Sequence, residues 1–428
     1  MSELLINVNA TETRVAHVED GVLTELMLER DSSRSLVGDI YQGKVLRIMP
    51  GMEAAFVDIG LERAGFIHAS DISAIDSDGI EVRTEAPARI GELLREGQFL
   101  IVQVIKDGIA GKGARLSNHL TLPGRNLVLL PRSRHIGVSQ RIQDPQERAR
   151  LQSLLESSLE ASDWLDRRGF IVRTAATGAA ADDLVEDLGH LHRLWLKLQE
   201  RLARPSEVRC IYSEESLFVR VTRDLLSAKV TRIRIDNSEA YASLCGFLED
   251  SIPEAAALTE LVGCDVPLFE SETDGENTIE QQILAALCKD VALPSGGDLV
   301  IEQTESMVTI DVNTGSFVGR SDQSETILAT NLEAADAIAR QLKLRNLGGI
   351  IVIDFIDMES AAHREQVRKA LLQALASDSA RTVVGEFSQF GLVEMTRKRS
   401  RESLPRLLQK PCETCAGEGR VLLEDGAS

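Results

Sequence analysis

Asp311 closes the apolar run SMVTIDVNTG and Asp354 closes GGIIVIDFIDM, 43 residues further on. One strand–helix–strand unit fits between them. Parallel strands of such a unit bring their C-terminal ends side by side, where open α/β sheets bind ligands. Two carboxylates held there repel each other. A hard cation such as Mg²⁺ relieves that repulsion, and it is usually held by one or two carboxylates with water and phosphate oxygens. Asn313, two residues beyond Asp311 and so on the same side of a strand, can orient a water or a phosphate oxygen. The plainer role for both aspartates is to cap the turns and helices that follow them.

Three other groups of residues carry possible chemistry. Cys412 and Cys415 form the knuckle PCETCAGEG. Structural zinc needs four ligands, and the chain has no second Cys-x-x-Cys, because Cys210, Cys245, Cys264 and Cys288 stand alone. The knuckle is therefore either a redox pair or half of a zinc site completed by a second copy of the chain. Its setting in a glycine-rich tail favours the half-site, since a redox motif belongs after a strand in a βαβ unit. Phe56 and Phe66 lie in AAFVDIG and AGFIHAS, followed by Lys106 and Lys112 in IKDGIAGKGARLS. Aromatics on a barrel face flanked by lysine stack single-stranded bases, although phenylalanine at alternating strand positions is usually core. Arg173-Thr174 ends GFIVRTAATG, where a guanidinium fork beside a hydroxyl and loop amides suits a terminal phosphate.

The elements that must position these residues are legible in outline. Residues 1–37 read as short alternating strands with a hairpin turn at Glu19-Asp20-Gly21. Residues 38–121 hold about five short β-rich runs separated by Gly, Pro and Asp, which suggests a small antiparallel barrel. Pro145–Glu160 and Ala181–Ala203 have helical period, and GFIVRTAATG between them reads as a strand entering a loop. RCIYSEESLFVRVTRDL and KVTRIRID read as strands, and residues 238–291 as mostly helical and acidic. In the last third, DLVIEQTESMVTIDVNTG is a strand pair, and a long helix stops at Gly348-Gly349. GIIVIDFIDM is a strand whose continuous apolar character predicts burial on both faces. A second helix, 360–376, and a last strand region complete an α/β layer architecture.

The chain has 428 residues, which suggests about three domains, and its hydrophobic and charged fractions are those of a globular protein. No apolar run reaches the roughly 20 residues of a membrane span. The N-terminus lacks the pattern of a signal peptide, and the cysteines form no disulfide framework. A soluble, reduced, cytoplasmic protein is expected. The net charge of −20 argues against a nucleic-acid partner when taken as a whole. The charge is segregated, however. Asp236 to Glu280 contains twelve carboxylates and no Lys, Arg or His, whereas Thr121 to Arg150 has six Arg against two carboxylates. Arg381 to Lys410 has seven Arg or Lys against three Glu. Such blocks leave room for a local positive surface.

Taken together, these segments resemble the catalytic half of the ribonuclease E/G family. GDIYQGKV with GMEAAFVDIGLERAGFIHASDI resembles the family's RNA-binding barrel, and GVSQRI with VRTA its 5′-end sensor. IDVNTGSFVG, LRNLGGIIVIDFIDM and GLVEMTRKR resemble its DNase I-like catalytic domain, and the Cys-x-x-Cys knuckle resembles its zinc link. The resemblance covers nearly the whole chain in order. It implies a multidomain α/β protein: an RNase H-like domain split between 1–37 and the acidic 212–285, an OB-type barrel at 38–121, a 5′-sensor at 122–211, a DNase I-like domain at 286–408 and a zinc link at 409–420.

The activity it implies is Mg²⁺-dependent endonucleolytic cleavage of single-stranded AU-rich RNA to 5′-phosphate and 3′-hydroxyl ends, in RNA processing and decay. Asp311 and Asp354 would hold the Mg²⁺, with Asn313 assisting at the scissile phosphate. Phe56, Phe66, Lys112 and Arg381 would bind RNA. Arg173 and Thr174, with Arg141 and Val128, would read a 5′-monophosphate. Cys412 and Cys415 would share Zn²⁺ with a second chain in a homodimer. The chain stops at Ser428 without the family's small domain or scaffold tail, so a shorter, G-like, dimeric enzyme is expected. Two rivals use the same scaffold: a non-catalytic RNA-binding or assembly protein, against which the intact Asp311, Asn313 and Asp354 argue, and a nuclease directed at DNA, separable by its response to the 2′-hydroxyl.

Overall fold

The computed structural model describes residues 1–428 except 76–79, 83–88, 109–112, 162–167, 204–205, 227–229, 264–266, 271–276, 316–322, 377, 379, 400, 416, 418 and 420–428. The chain divides into two compact units. One comprises Met1–Leu5, Ala16–Met27 and Gly263–Ser428; the other comprises Ile6–Val15 and Leu28–Val262. Three N-terminal strands, Ser2–Val8, Glu12–Glu19 and Val22–Arg30, belong to a five-stranded sheet that also contains Val230–Ile235 and Thr259–Leu261. The second and third are joined at Asp20 and Gly21, both at positive φ, as a tight hairpin requires. Among the described residues no helix is long and apolar enough to cross a membrane.

In the larger unit, the strands Ile40–Met49, Ala54–Asp58, Gly65–His68, Arg115–Ser117 and Phe99–Lys106 form a barrel. It closes where the first of them pairs with the last, Ile40 opposite Gln103 and Lys44 opposite Phe99. Its interior is filled by Val45, Val57, Ile67, Val102, Val104 and Leu116. Beside it in sequence, Leu127–Leu130, Ile136–Val138 and Gly169–Val172 form a small sheet, with Leu122–Pro123 at one edge. Leu151 and Leu155 of the helix Pro145–Glu160, and Leu184, Leu188 and Leu191 of the helix Ala181–Leu202, share its core. The segment SLFVRVTRDL, expected as a strand, is the helix Leu217–Leu225. Its β-branched residues favour strand, but the burial of Phe218, Val219, Val221 and Thr222 follows a helical face, and tertiary packing overrides propensity.

The other unit is built on a six-stranded sheet, in spatial order Asp290–Ala292, Asp298–Gln303, Met307–Asn313, Gly349–Asp354, Leu392–Arg397 and Thr382–Phe387. Only Met307–Asn313 and Gly349–Asp354 run parallel, joined by the helix Gln323–Leu344. That helix and Ala361–Leu375 cover one face, where Ile310, Val312, Ile351, Ile353, Val393 and Met395 meet Ala334, Ala335, Ile338, Leu342, Val367 and Leu371. The expectation that the Gly349–Asp354 strand is buried on both faces is corrected: Ile350 is 51% exposed, and Val383 of the edge strand 58%. Among the described residues of this unit no layer covers the second face, so a continuous apolar run signals here only half-burial.

Two buried polar devices hold the ends of this sheet. Arg397 makes a two-pronged pair with Asp378, at 2.6 and 3.0 Å, and donates to the carbonyl of Leu347 at 2.8 Å. At the opposite end, the fully buried Asn331 donates to the carbonyl of Ile356 at 2.8 Å and accepts from its N–H at 3.1 Å. This ties the loop after Asp354 to the long helix. Asn331→Ala leaves both main-chain groups of Ile356 unpaired. At about 1–3 kcal/mol for each stranded buried group, a loss of roughly 2–4 kcal/mol is expected in urea denaturation, and a variant as stable as the parent would refute that role.

Candidate active site and nucleic-acid interface

The parallel pairing sets Met307 against Ile350 and runs in register to Asp311 against Asp354. Side chains alternate along a strand, so the burial of Ile310, Val312, Ile351 and Ile353 turns both aspartates to the uncovered face, where both are exposed. Asp354 caps no helix; the helix that follows is capped by Ser360, whose side chain accepts from His363 N–H. Partial desolvation, with the charges of Asp311 and then Asp357, pushes the Asp354 carboxyl above its ordinary range. Asn313 donates its amide to Asp311 at 3.2 Å and to Asp298, across the neighbouring strand, at 3.4 Å. This orientation leaves its carbonyl oxygen unused by either carboxylate. Asp298 escaped the sequence reading because only the antiparallel register sets it opposite Asn313.

Among the described residues no three His, Cys, Asp or Glu converge as a protein-only metal cage. The donor set is instead two carboxylates on an open face, with mutual repulsion that a cation relieves. That fits the habit of Mg²⁺, which keeps most of its waters and takes substrate oxygens. It does not fit zinc, which wants a closed set of nitrogen and sulfur ligands. Arg381 is not brought to these aspartates. It precedes the edge strand at the end where Thr382 and Gly349 both pair with Arg397. That is five residues, or about 17 Å, along the sheet from Asp354.

On the barrel, Phe56 and Phe66 are directly opposed on neighbouring strands, their rings 6.1 Å apart and edge-to-face. They are not interior: Phe56 is 37% exposed and Phe66 half-buried. The register extends them into a row across one face, with Arg47 opposite Phe56, Arg115 opposite Phe66 and Lys106 opposite Arg115. All three cations are exposed, and Arg115 is steadied by Asp71 at 2.8 Å. Aromatic rings flanked by cations suit stacked bases and their phosphates. Arg47 and Arg115 carry no sequence signal of their own, since pairing across strands creates the row. Lys112 lies outside the described residues.

Arg173 leaves the strand Gly169–Val172 with its guanidinium donating to the carbonyl of Gly124 and, at 2.8 Å, to Asp224. Thr174 beside it is exposed. Val128 is half-buried opposite Ile171 of the same strand. Arg141 is exposed three residues after Val138, which pairs with Val172. These four residues therefore belong to one small sheet and its adjoining loop. What holds the loop under Arg173 is Asp187, which sequence reading missed inside a helix. Its buried carboxylate accepts from the N–H groups of Arg125, Asn126 and Leu127 at 3.0, 2.9 and 2.7 Å. Gly124 makes room for it, because a Cβ there would stand 2.4 Å from the carboxylate oxygen. Burial pushes the Asp187 carboxyl up, against the pull of those three donors.

Cys412 and Cys415 carry free thiols, Cys412 exposed and Cys415 half-buried. The main-chain N–H groups of Cys415 and Thr414 lower the Cys412 thiol to about 7. One chain supplies two cysteine sulfurs and no third ligand among the described residues.

Comparison with known proteins identifies the family. Residues 36–106 match the S1 RNA binding domain, and residues 121–400 match the ribonuclease E/G family. The chain is 47% identical over 423 residues to ribonuclease G of Salmonella typhimurium, which spans 98% of this chain and 84% of that protein. It is 47% identical over 421 residues to ribonuclease G of Haemophilus influenzae, spanning 98% of this chain and 84% of that protein. It is 37% identical over 406 residues to ribonuclease E of Synechocystis, spanning 94% of this chain and 57% of that protein. With an S1-type barrel, a mixed α/β catalytic region and this length of shared sequence, the chain belongs to the ribonuclease E/G family.

Proposed function

We propose that this endoribonuclease of RNA processing cuts single-stranded, AU-rich RNA at the Asp311–Asp354 pair, with Mg²⁺, leaving 5′-phosphate and 3′-hydroxyl ends. The observation that carries this reading is the in-register, outward placement of two carboxylates on an uncovered sheet face. Bound there, Mg²⁺ supplies charge neutralisation at the phosphate and a more acidic water. The chain's own residues do the rest. Asp311 and Asp354 hold the cation, the Asn313 carbonyl oxygen accepts from a water and its amide donates, and the loop fixed by Asn331 keeps Asp354 in place. Family membership supports the AU-rich substrate and the end chemistry. A short AU-rich oligonucleotide offered as RNA and as DNA, with and without Mg²⁺, tests them together. Cleavage of the DNA, or cleavage unaffected by a chelator, would overturn the reading.

The segmentation 1–37 with 212–285, 38–121, 122–211, 286–408 and 409–420 belongs to the same proposal. In it the barrel row around Phe56 and Phe66 holds single-stranded RNA, with Lys112 and Arg381 assisting. Arg173, Thr174, Arg141 and Val128 read a 5′-monophosphate. Cys412 and Cys415 share one Zn²⁺ with the same pair of a second chain, as a two-fold dimer allows.

Three outcomes follow. Asp311→Asn or Asp354→Asn is expected to lower cleavage by at least ~10³-fold while RNA binding persists, because several kcal/mol of transition-state stabilisation depend on the cation; wild-type activity in either variant refutes the site. Arg173→Ala is expected to slow cleavage of 5′-monophosphate RNA by roughly 10- to 100-fold, toward the rate on 5′-hydroxyl RNA, as loss of a charge-assisted contact implies. Equal wild-type rates on the two RNAs would show a silent sensor. Elemental analysis with light scattering should find about half a zinc per chain and a dimer, and Cys412→Ser with Cys415→Ser should give folded monomers; one zinc per chain, or a dimer that survives the double substitution, excludes the shared site.

A further inference from the structure

The hairpin that joins Thr382–Phe387 to Leu392–Arg397 ends in Ser388-Gln389-Phe390-Gly391, and it is fixed by its own hydrogen bonds. Ser388 N–H donates to the carbonyl of Leu392 at 2.8 Å, and Gly391 N–H to the carbonyl of Ser388 at 3.0 Å. The Ser388 hydroxyl oxygen accepts from the N–H groups of Phe390 and Leu392 at 3.2 and 3.3 Å. Gly391 takes φ +83°, a left-handed conformation that glycine alone adopts without cost. The turn is therefore built to hold one shape.

That shape presents a ring to solvent. Phe390 is 78% exposed, the highest value for any large apolar side chain among the described residues. The contrast with Phe387, three residues earlier, is direct. Phe387 packs on Phe355 with ring centres 5.8 Å apart, against the core of the sheet. The tip also has a particular address. Leu392 is directly opposite Asp354, and a Cβ on Gly391 would stand 3.3 Å from a carboxylate oxygen of Asp357. Phe390 is two residues from Leu392, about 7 Å along the chain, at the end of the sheet that carries Asp311 and Asp354.

A lone ring is far too small for a protein partner, since a specific interface covers about 800 Å² on each side. A single ring does match one nucleobase, because every base has a π-face and stacking on an aromatic side chain is tolerant of sequence. The turn fixes the main chain of Phe390, so stacking has only the two side-chain torsions left to order. We propose that Phe390 is a substrate-contacting residue, a platform on which the base adjoining the scissile phosphate stacks and so seats that phosphate beside Asp311 and Asp354. This rests on the reading that those aspartates mark the cleavage site.

The test is a cycle of cleavage kinetics. The full-length protein and its Phe390→Ala and Phe390→Trp variants are each assayed on one short single-stranded RNA, and on the same RNA made abasic at each nucleotide flanking the cut. Phe390→Ala is expected to lose about tenfold in kcat/KM, mostly through KM, and Phe390→Trp to retain activity. One abasic position should cost the parent about the same, and should cost Phe390→Ala nothing further. Because the ring is exposed, melting temperatures should agree within a degree or two, which separates stacking from misfolding. Unchanged kinetics in Phe390→Ala, or an equal loss on intact and abasic RNA, would overturn the proposal. Asp354→Asn run alongside separates the two readings: if it is inactive while Phe390→Ala is unimpaired, the stacking proposal alone fails, whereas an active Asp354→Asn removes the site itself.

Discussion

The parallel register between Met307–Asn313 and Gly349–Asp354 is the constraint on which the candidate active site depends. It sets two like charges opposite each other, an arrangement that disfavours the sheet unless something compensates. What holds it is the other face of the same two strands. Ile310, Val312, Ile351 and Ile353 are buried under two helices, and a slip of one residue would turn that whole set to solvent. Hydrophobic burial on the inner face thus outweighs electrostatic repulsion on the outer one. Partial desolvation first, and the Asp311 charge second, push the Asp354 carboxyl above its usual range, and a cation between the two carboxylates would relieve the repulsion.

The loops around the candidate sites are held by buried side chains that act as substitutes for main-chain partners. Asn331 pairs with both main-chain groups of Ile356, and Asp187 gathers three consecutive N–H groups of the loop below Arg173. Arg397 ties Asp378 to the turn at Leu347. Each satisfies polar groups that would otherwise be stranded away from water. Asn331 fixes the loop that follows Asp354, and Asp187 the loop whose Gly124 carbonyl accepts from Arg173. Asp311, Asp354, Phe56 and Phe66 stand on the strands themselves, and the clamps hold the loops beside them.

Charge shows the same division between bulk and local effects. The net charge of −20 predicts a poor partner for RNA, yet the barrel face carries Arg47, Arg115 and Lys106 in one row with two aromatic rings. Three of the twelve carboxylates of the acidic segment are committed elsewhere. Asp236 bonds Asn7 and the N–H of Val8, Glu254 pairs with Arg125, and Glu260 with Arg232. Because screening confines the influence of an exposed charge to about 8–10 Å, the composition of a whole chain says little about any one face of it.

From sequence alone, the 43-residue spacing of Asp311 and Asp354 and the helix between them were legible, because periodicity is a local signal; the helix stops before the expected Gly348-Gly349, at Leu344, with Asn346 taking the left-handed position at φ +47°. The isolation of Cys412 and Cys415 was legible by simple counting. Which way a residue faces was not. Phe56 and Phe66 read most simply as core, and barrel closure turned them outward. GIIVIDFIDM read as buried on both faces, and Ile350 stands exposed because no second layer covers that face among the described residues of its unit. Arg47, Arg115, Asp187, Asp224 and Asp298 carry no motif. Their roles arise from pairing across strands or across more than a dozen residues of chain, and only the folded register decides those partners.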